Sequence, residues 1–478
     1  MTAGHTTGAS GSQPWTGQWV ADALGVTVRT TAAPVGVGLA DLAGLAVRRN
    51  PRRAHLLVSR TLAKHVPTEP RLVVGAGRLL GLRVAAALEG RPTAYDADPG
   101  ALLGPALAGD PAPLYTAVTA TPPAHPGDGL VLGYAETATG LGHAVADALG
   151  MPYLHSTRRQ VDGVGEAGGF LEEHSHASAH LLLPSDPALL RRAGPVVLVD
   201  DEASTGRTAL NTVAALHALR AGGAAGQGGD HRYVLAVLTD VRTAADRDRM
   251  AERATALGVT LDVVALAHGE VGLPAGVLAD GADLVRRLET AQAGEEPERA
   301  GPTAAVRRLD LGWPAGVPVT GRHGVTPAQR AALTGALPAA GARLAEAVAG
   351  PDVLVLGTEE LMDAPTRLAV ALAEAAPRLR VRFSSTTRSP VLAVDEPGYP
   401  IRTAIGFASH DRPADGHGRR HAYNVAPAAR PAGDRFDEIV VVVDPQADTP
   451  ALAGTDGLLP ALAPHCRRVH LAAVGEPC

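Results

Sequence analysis

The sequence predicts an α/β protein: a parallel sheet flanked by helices, followed by a second α/β domain that looks like a degenerate copy of the first. Three observations carry the prediction. Val196–Val199, apolar and mostly β-branched, lies between Pro195 and the paired carboxylates of Asp200 and Asp201, and has the composition of a strand buried on both faces. A loop of small and hydroxyl residues then leads into Ala209–Leu219, where Leu210, Val213, Ala214, Leu216 and Leu219 recur at helical spacing. Finally, four strand-and-turn elements of the first half recur in the same order in the second.

The chain has 478 residues, 46% hydrophobic and 19% charged, enough for about two to four globular domains. With aromatics at 3%, the cores are built from Ala, Leu and Val. A net charge of −6 leaves no basic footprint, so nucleic acid is not a favoured partner. The cysteines, Cys466 and Cys478, exclude a disulfide framework and a cysteine-rich metal site. Met1–Gly17 is rich in Gly, Thr and Ser, without the basic start and apolar core of a signal peptide, and no apolar run reaches membrane-spanning length. A cytoplasmic protein is expected, divided into a disordered tail (1–29), a first domain (30–290), a linker (291–303) and a second domain (304–478).

Taken in order, Val35–Arg49 reads as a short helix or loop and Ala54–Ser59 as a strand. In Thr61–Pro67, Lys64 and His65 either reach an anionic ligand or end a solvated helix. Arg71–Val74 reads as a strand, with Gly75–Gly81 opening a helix that runs to Leu88. Its GxGxxxG spacing departs from the dinucleotide fingerprint, so a tight turn is expected. Leu130–Leu132 is a buried strand, and the loop Gly133–Gly142 after it, including Tyr134, Ala135, Glu136 and Thr137, exposes donors before a helix that runs through Leu149. Tyr153–Arg159 is a strand ending in Arg158 and Arg159, whose guanidiniums match phosphate oxygens.

Gly163–Gly169 is glycine-rich enough to be a mobile lid. The Glu172, Glu173, His174 and His176 cluster behind it has three readings: metal ligands, an acid or base at the substrate, or a cap on the strand Ala179–Leu183. His-x-His on a strand puts both imidazoles on one face, which favours a shared ligand. Tyr233–Thr239 and Leu261–Ala267 are further strands, separated by a charged helix at Ala244–Leu257.

The order strand, acids, loop, helix after Val196 delivers backbone N–H groups and a positive helix end to an anion. In the segment Ala203, Ser204, Thr205, Gly206, Arg207, Thr208, the glycine permits close backbone approach and the hydroxyls donate. Asp200 and Asp201 are placed to accept hydrogen bonds from vicinal sugar hydroxyls, so a sugar phosphate fits both halves of the motif.

Val199-Asp200-Asp201, two spacers, Ser204-Thr205-Gly206, one spacer and Thr208 resemble the phosphoribosyl pyrophosphate loop of type I phosphoribosyltransferases. The resemblance implies that Asp200 and Asp201 hold the ribose 2′ and 3′ hydroxyls and that Ala203–Thr208 hold the 5′-phosphate. It places pyrophosphate at the loop beginning Gly133 and at Arg158 or Arg159. Together with His155–Arg159, Glu172–His176 and the tetrapeptide Thr387-Arg388-Ser389-Pro390, the chain resembles the bacterial, orotate phosphoribosyltransferase-like family with a C-terminal TRSP domain, over roughly residues 30 to 475.

That family implies a pentosyltransferase using phosphoribosyl pyrophosphate, with Mg²⁺ held mainly by the substrate, to make or break an N-glycosidic bond to a nucleobase-like acceptor. The implied setting is the biosynthesis of a nucleoside-like metabolite beside tellurium-resistance and stress-response genes, with a homodimer or partner enzymes of the same pathway. A sugar-phosphate sensor that has lost turnover, and a scaffold of the same fold, are the alternatives.

In the second half, Val353–Glu360 parallels Val131–Glu136, and Arg380–Pro390 echoes Tyr153–Arg159. Glu438–Asp444 mirrors the central strand, and Arg468–Val474 mirrors Tyr233–Thr239. The phosphate loop does not repeat, because Pro445 and Pro450 each remove an N–H. The loop of Thr387, Arg388 and Ser389 either binds a product, base or phosphorylated intermediate, or only stabilises a turn.

Overall fold

A computed structural model describes residues 17–49, 54–91, 98–125, 127–159, 168–171, 179–221, 231–292, 306–410, 418–428 and 435–475. Residues 1–16 of the expected tail, most of the lid, the Glu172–His176 cluster and most of the linker lie outside the described residues, whereas the rest of the expected tail folds, with Gln18–Leu24 a helix and Thr27–Ala32 a strand paired to Thr260–Gly272.

The strands are β1 (Thr27–Ala32), β2 (Ala43–Val47), β3 (His55–Ser59), β4 (Leu130–Gly133), β5 (Tyr153–His155), β6 (Gly168–Leu171), β7 (Ala179–Leu182), β8 (Val196–Ala203), β9 (Arg232–Asp240) and β10 (Thr260–Gly272). They continue with β11 (Val306–Leu309), β12 (Asp352–Gly357), β13 (Arg380–Ser385), β14 (Ala404–Ala408), β15 (Arg419–Tyr423), β16 (Glu438–Val443) and β17 (Arg468–Ala473). The first sheet has the order β1-β10-β9-β8-β4-β5, parallel except for β1.

β8 is the inner strand the sequence predicts, with Leu198 paired to Leu132 on one side and Leu235 on the other. Its unbroken apolar run follows from having helices on both faces. Val131, Val197, Val199 and Val234 pack with helices Pro70–Leu88 and Thr139–Leu149. Leu132, Leu198 and Leu235 pack with Arg207–Ala221 and Ala244–Leu257. Alternate residues of each strand therefore serve opposite layers, and neither face reaches solvent.

Arg71–Val74 is the first turn of helix Pro70–Leu88, not a strand. Pro70 stands at the start of the helix, where a missing N–H costs nothing, and the Glu69 side chain accepts from the Leu72 N–H at 3.2 Å. Those signals outweigh the β-branched Val73 and Val74. The glycines behind them let helix Thr139–Leu149 come close: a Cβ on Gly77 or Gly81 would stand 2.6 Å from the Ala144 or Ala148 Cβ. Val35–Arg49 likewise resolves into helix Leu39–Leu42 and β2, which pairs with β3 in an antiparallel hairpin.

The second sheet, β11-β17-β16-β12-β13, is parallel throughout. Its run β17-β16-β12-β13 reproduces β9-β8-β4-β5 position for position, with the four equivalences in the order the sequence proposes. A further correspondence escaped the sequence reading. The hairpin β14–β15 lies between β13 and β16 in the chain, as β6–β7 lies between β5 and β8. The outer strand differs, since β10 follows β9 in the chain whereas β11 precedes every other strand of its sheet. Among the described residues, no helix is long and apolar enough to cross a membrane.

Candidate functional site

The sheet ends at β4 and β8 open into a cavity of about 710 Å³. Asp200 and Asp201, all of Ala203–Thr208, Tyr134–Thr137 and Arg158 line it. Arg388 and Ser389 of the second half also line it. Gly133, Arg159 and Thr387 do not.

The loop Ala203–Thr208 is shaped by its glycine. Gly206 has φ +76°, and a Cβ there would stand 2.5 Å from Met250 Cε, so the left-handed turn and the close neighbour both demand glycine. The helix behind it begins at Arg207, two residues earlier than its apolar spacing alone shows, and its first turn faces the cavity. The start of the helix and its positive end are thus presented where an anion would sit.

The acidic pair stands next to this turn. The Asp201 N–H donates to Asp200 Oδ1 at 2.9 Å. Burial, reinforced by the neighbouring Glu202, pushes the Asp201 carboxyl above its ordinary range, and Lys64 only partly opposes this. Lys64 lines the cavity and donates from Nζ to Thr137 Oγ1 at 2.7 Å, so it belongs to the site and does not end a solvated helix. Burial lowers its pKa against the pull of Glu136 and Asp201. The adjacent His65 is held neutral by burial, with Lys64 and Arg48 acting in the same direction.

The loop after β4 is fixed from below. Ala135 N–H donates to Ser156 Oγ at 3.1 Å, and Tyr134 OH donates to Thr212 Oγ1 at 2.9 Å. The Ala135–Glu136 peptide is cis. His180, missed in the sequence, completes this support: it lines the cavity, stacks on Phe170 with ring centroids 4.9 Å apart, and stands 2.8 Å from Ser156 Oγ through Nδ1. Arg158 is 3.4 Å from its Nε2, and because a guanidinium only donates, Nε2 accepts and Nδ1 carries the proton. The only signal for His180 was its place on the strand Ala179–Leu183. Arg48, Arg49 and His55, also in the lining, carried no motif at all.

The halves meet through reciprocal contacts. The Thr157 hydroxyl donates to Glu360 at 2.8 Å, and the Thr387 hydroxyl donates to Glu136 at 3.2 Å. Arg388 Nε stands 2.8 Å from both Glu136 and Glu359. Arg159 is 5% exposed and lies within 3.7 Å of Asp444 and 4.0 Å of Glu359, which turns it into the junction and away from the cavity. Burial alone would raise the Glu360 carboxyl, but the Arg322 and Arg159 guanidiniums, the His155 ring and the Thr157 hydroxyl together hold it far below the ordinary range. At the position matching the acidic pair, the second half has the single buried Asp444, which accepts from the Ala447 N–H at 2.9 Å.

A family model described as phosphoribosyl transferase matches residues 42–270, and one described as the TRSP domain C terminus to PRTase_2 matches residues 319–462. Among solved structures, the APRTase from Giardia lamblia is similar at 20% identity, over 29% of this chain and 69% of that one, with a TM-score of 0.21. The adenine phosphoribosyl transferase from Trypanosoma brucei is similar at 15% identity, over 29% and 56%, with a TM-score of 0.21. That from Leishmania donovani is similar at 18% identity, over 31% and 58%, with a TM-score of 0.21. This chain thus spans little more than half the length of the last two. No curated protein matches it. The chain belongs to the phosphoribosyltransferases, a class of pentosyltransferase, that carry a C-terminal TRSP domain.

Proposed function

We propose that the protein transfers the phosphoribosyl group of phosphoribosyl pyrophosphate to a nucleobase-like acceptor, or runs the reverse reaction, in a first domain of residues 30–290 joined to a TRSP domain of residues 304–478. The observation that carries this reading is the single cavity that gathers the acidic pair, the Ala203–Thr208 turn and Tyr134–Thr137.

In the synthetic direction the C1′–O bond breaks and pyrophosphate leaves with the electron pair. A nitrogen of the acceptor forms the new bond to C1′ and passes its proton to the departing pyrophosphate or to water. Asp200 and Asp201 fix the ribose by its hydroxyls, and the N–H groups of the Ala203–Thr208 turn hold the 5′-phosphate. Lys64 and Arg158 supply fixed positive charge toward the departing group, where negative charge grows. The acceptor faces the remaining wall, where Leu56, Leu57 and Val271 offer apolar surface to a flat ring.

Asp200 and Asp201 present hard carboxylate oxygens, the donor type Mg²⁺ takes, and so few protein ligands fit an ion shared with substrate phosphates. When bound, Mg²⁺ would neutralise leaving-group charge. The test is a pyrophosphate-release assay with phosphoribosyl pyrophosphate, Mg²⁺ and a panel of nucleobases. Release that depends on one of the bases is expected. Tight binding of phosphoribosyl pyrophosphate without turnover on any base would instead make the protein a sensor.

A further inference from the structure

Arg388 belongs to the second half, yet it lines the cavity of the first. It follows β13 as Arg158 follows β5, so two arginines in equivalent positions of the two halves reach one cavity. The reciprocal threonine contacts bring this about. With Thr157 on Glu360 and Thr387 on Glu136, the next N–H of each chain segment is carried onto the opposite carboxylate, Arg158 N at 3.3 Å from Glu360 and Arg388 N at 3.4 Å from Glu136. The side chains then diverge. Arg158 turns to His180, while Arg388 Nε sits 2.8 Å from Glu136 and 2.8 Å from Glu359.

Glu136 is an obstacle to the function proposed above. It is a carboxylate in the loop that would receive a multiply charged diphosphate, and like charges at close range in a partly desolvated site repel strongly. The nearest cation paired to it comes from the TRSP domain. Arg420 holds Glu359 at 2.8 Å, so the second acid touching Arg388 already has another counter-charge, and Arg388 is the guanidinium in ion-pair contact with Glu136, which Lys64 attracts without such a pairing.

We propose that Arg388, delivered from the TRSP domain, is the counter-charge that lets the Tyr134–Thr137 loop accept the diphosphate leaving group, with Ser389 beside it as a further donor. This deepens, and rests on, the phosphoribosyl-transfer reading. The catalytic site is then shared between the two halves. As the C1′–O bond breaks, the negative charge passing to the diphosphate is met by a guanidinium already fixed in place by two carboxylates.

The test titrates magnesium pyrophosphate and, separately, ribose 5-phosphate into the full-length protein by calorimetry, with thermal melting to confirm folding. Arg388→Ala should weaken pyrophosphate by at least about tenfold and leave ribose 5-phosphate within about twofold. Arg388→Lys should keep more pyrophosphate affinity than Arg388→Ala. In Glu136→Gln combined with Arg388→Ala, part of the loss should return, because the repelling carboxylate is gone; a merely structural arginine would give no such recovery. If Arg388→Ala fails to fold, the lysine variant and the double variant decide. Unchanged pyrophosphate affinity, or equal loss of both ligands in a folded variant, overturns the proposal. A wild-type protein that binds ribose 5-phosphate but not pyrophosphate overturns it alone, whereas one that binds neither overturns the phosphoribosyl reading as well.

Discussion

The Thr157 hydroxyl of the first half donates to the Glu360 carboxylate of the second at 2.8 Å, in a buried junction where Arg322 also reaches Glu360 at 3.0 Å. Because Thr387 and Glu136 make the matching contact, the two halves hold each other by the same loop pair. The site and the junction are therefore one piece of structure, and a change on either side is felt on the other.

Glu360 gives the junction a pH dependence. Burial would raise its carboxyl, and Arg322, Arg159, His155 and Thr157 more than reverse that, so its folded pKa lies below the ordinary 4.5. A depressed acid contributes stability that is complete above the unfolded value and is lost as pH falls below it. Glu360→Gln should remove much of the acid sensitivity below about pH 4.5 in thermal melts. At neutral pH it should cost up to about 3–5 kcal/mol, since buried Arg322 loses its nearest carboxylate and keeps only Asp444 at 3.9 Å.

Asp201 behaves in the opposite way. Its carboxyl is raised above 3.8 by burial and by Glu202, so the folded protein keeps the proton to higher pH than the unfolded chain does. The stability it contributes is greatest below 3.8 and is lost as pH rises through the folded value, leaving the ionised carboxylate as a net cost at neutral pH. Asp201→Asn should therefore raise stability at pH 7 by about 0.5–2 kcal/mol while weakening ribose binding. A melt and a ribose 5-phosphate titration of the same variant check both halves of the statement.

Glycines in two places serve different ends, and substitution separates them. Gly81→Ala should lower stability by about 1–3 kcal/mol through crowding against Val145 and Ala148, with little change in ribose 5-phosphate affinity. Gly206→Ala forces a left-handed residue to carry a side chain against Met250, and should cost about 1–3 kcal/mol and weaken 5′-phosphate binding as well. Parallel melts and titrations distinguish the two.

What the sequence made legible was local in the chain. Val196–Thr208 shows its strand, its acids and its anion-binding turn because each depends on residues a few positions apart, and the four repeated strands kept their order on the page. Arg71–Val74 was misread because β-branched residues tolerate the first turn of a helix once Pro70 and Glu69 start it. Arg159 leaves the cavity for a different reason. Two adjacent arginines at a strand end point to opposite sides, and only the packing of one half on the other decides which side is cavity and which is junction. His180 and Arg48 were invisible because strands and hairpins distant in sequence bring them to the cavity.

The central claim is that Asp200 and Asp201 hold the ribose of phosphoribosyl pyrophosphate in this cavity. Calorimetric titration of phosphoribosyl pyrophosphate with Mg²⁺ into wild type and into the Asp200→Asn/Asp201→Asn variant tests it most directly. Charge-assisted hydrogen bonds are worth roughly 1.5–3 kcal/mol each, so a folded double variant should bind at least about tenfold more weakly. Unchanged affinity in that folded variant, or no binding to the wild type, would contradict the claim.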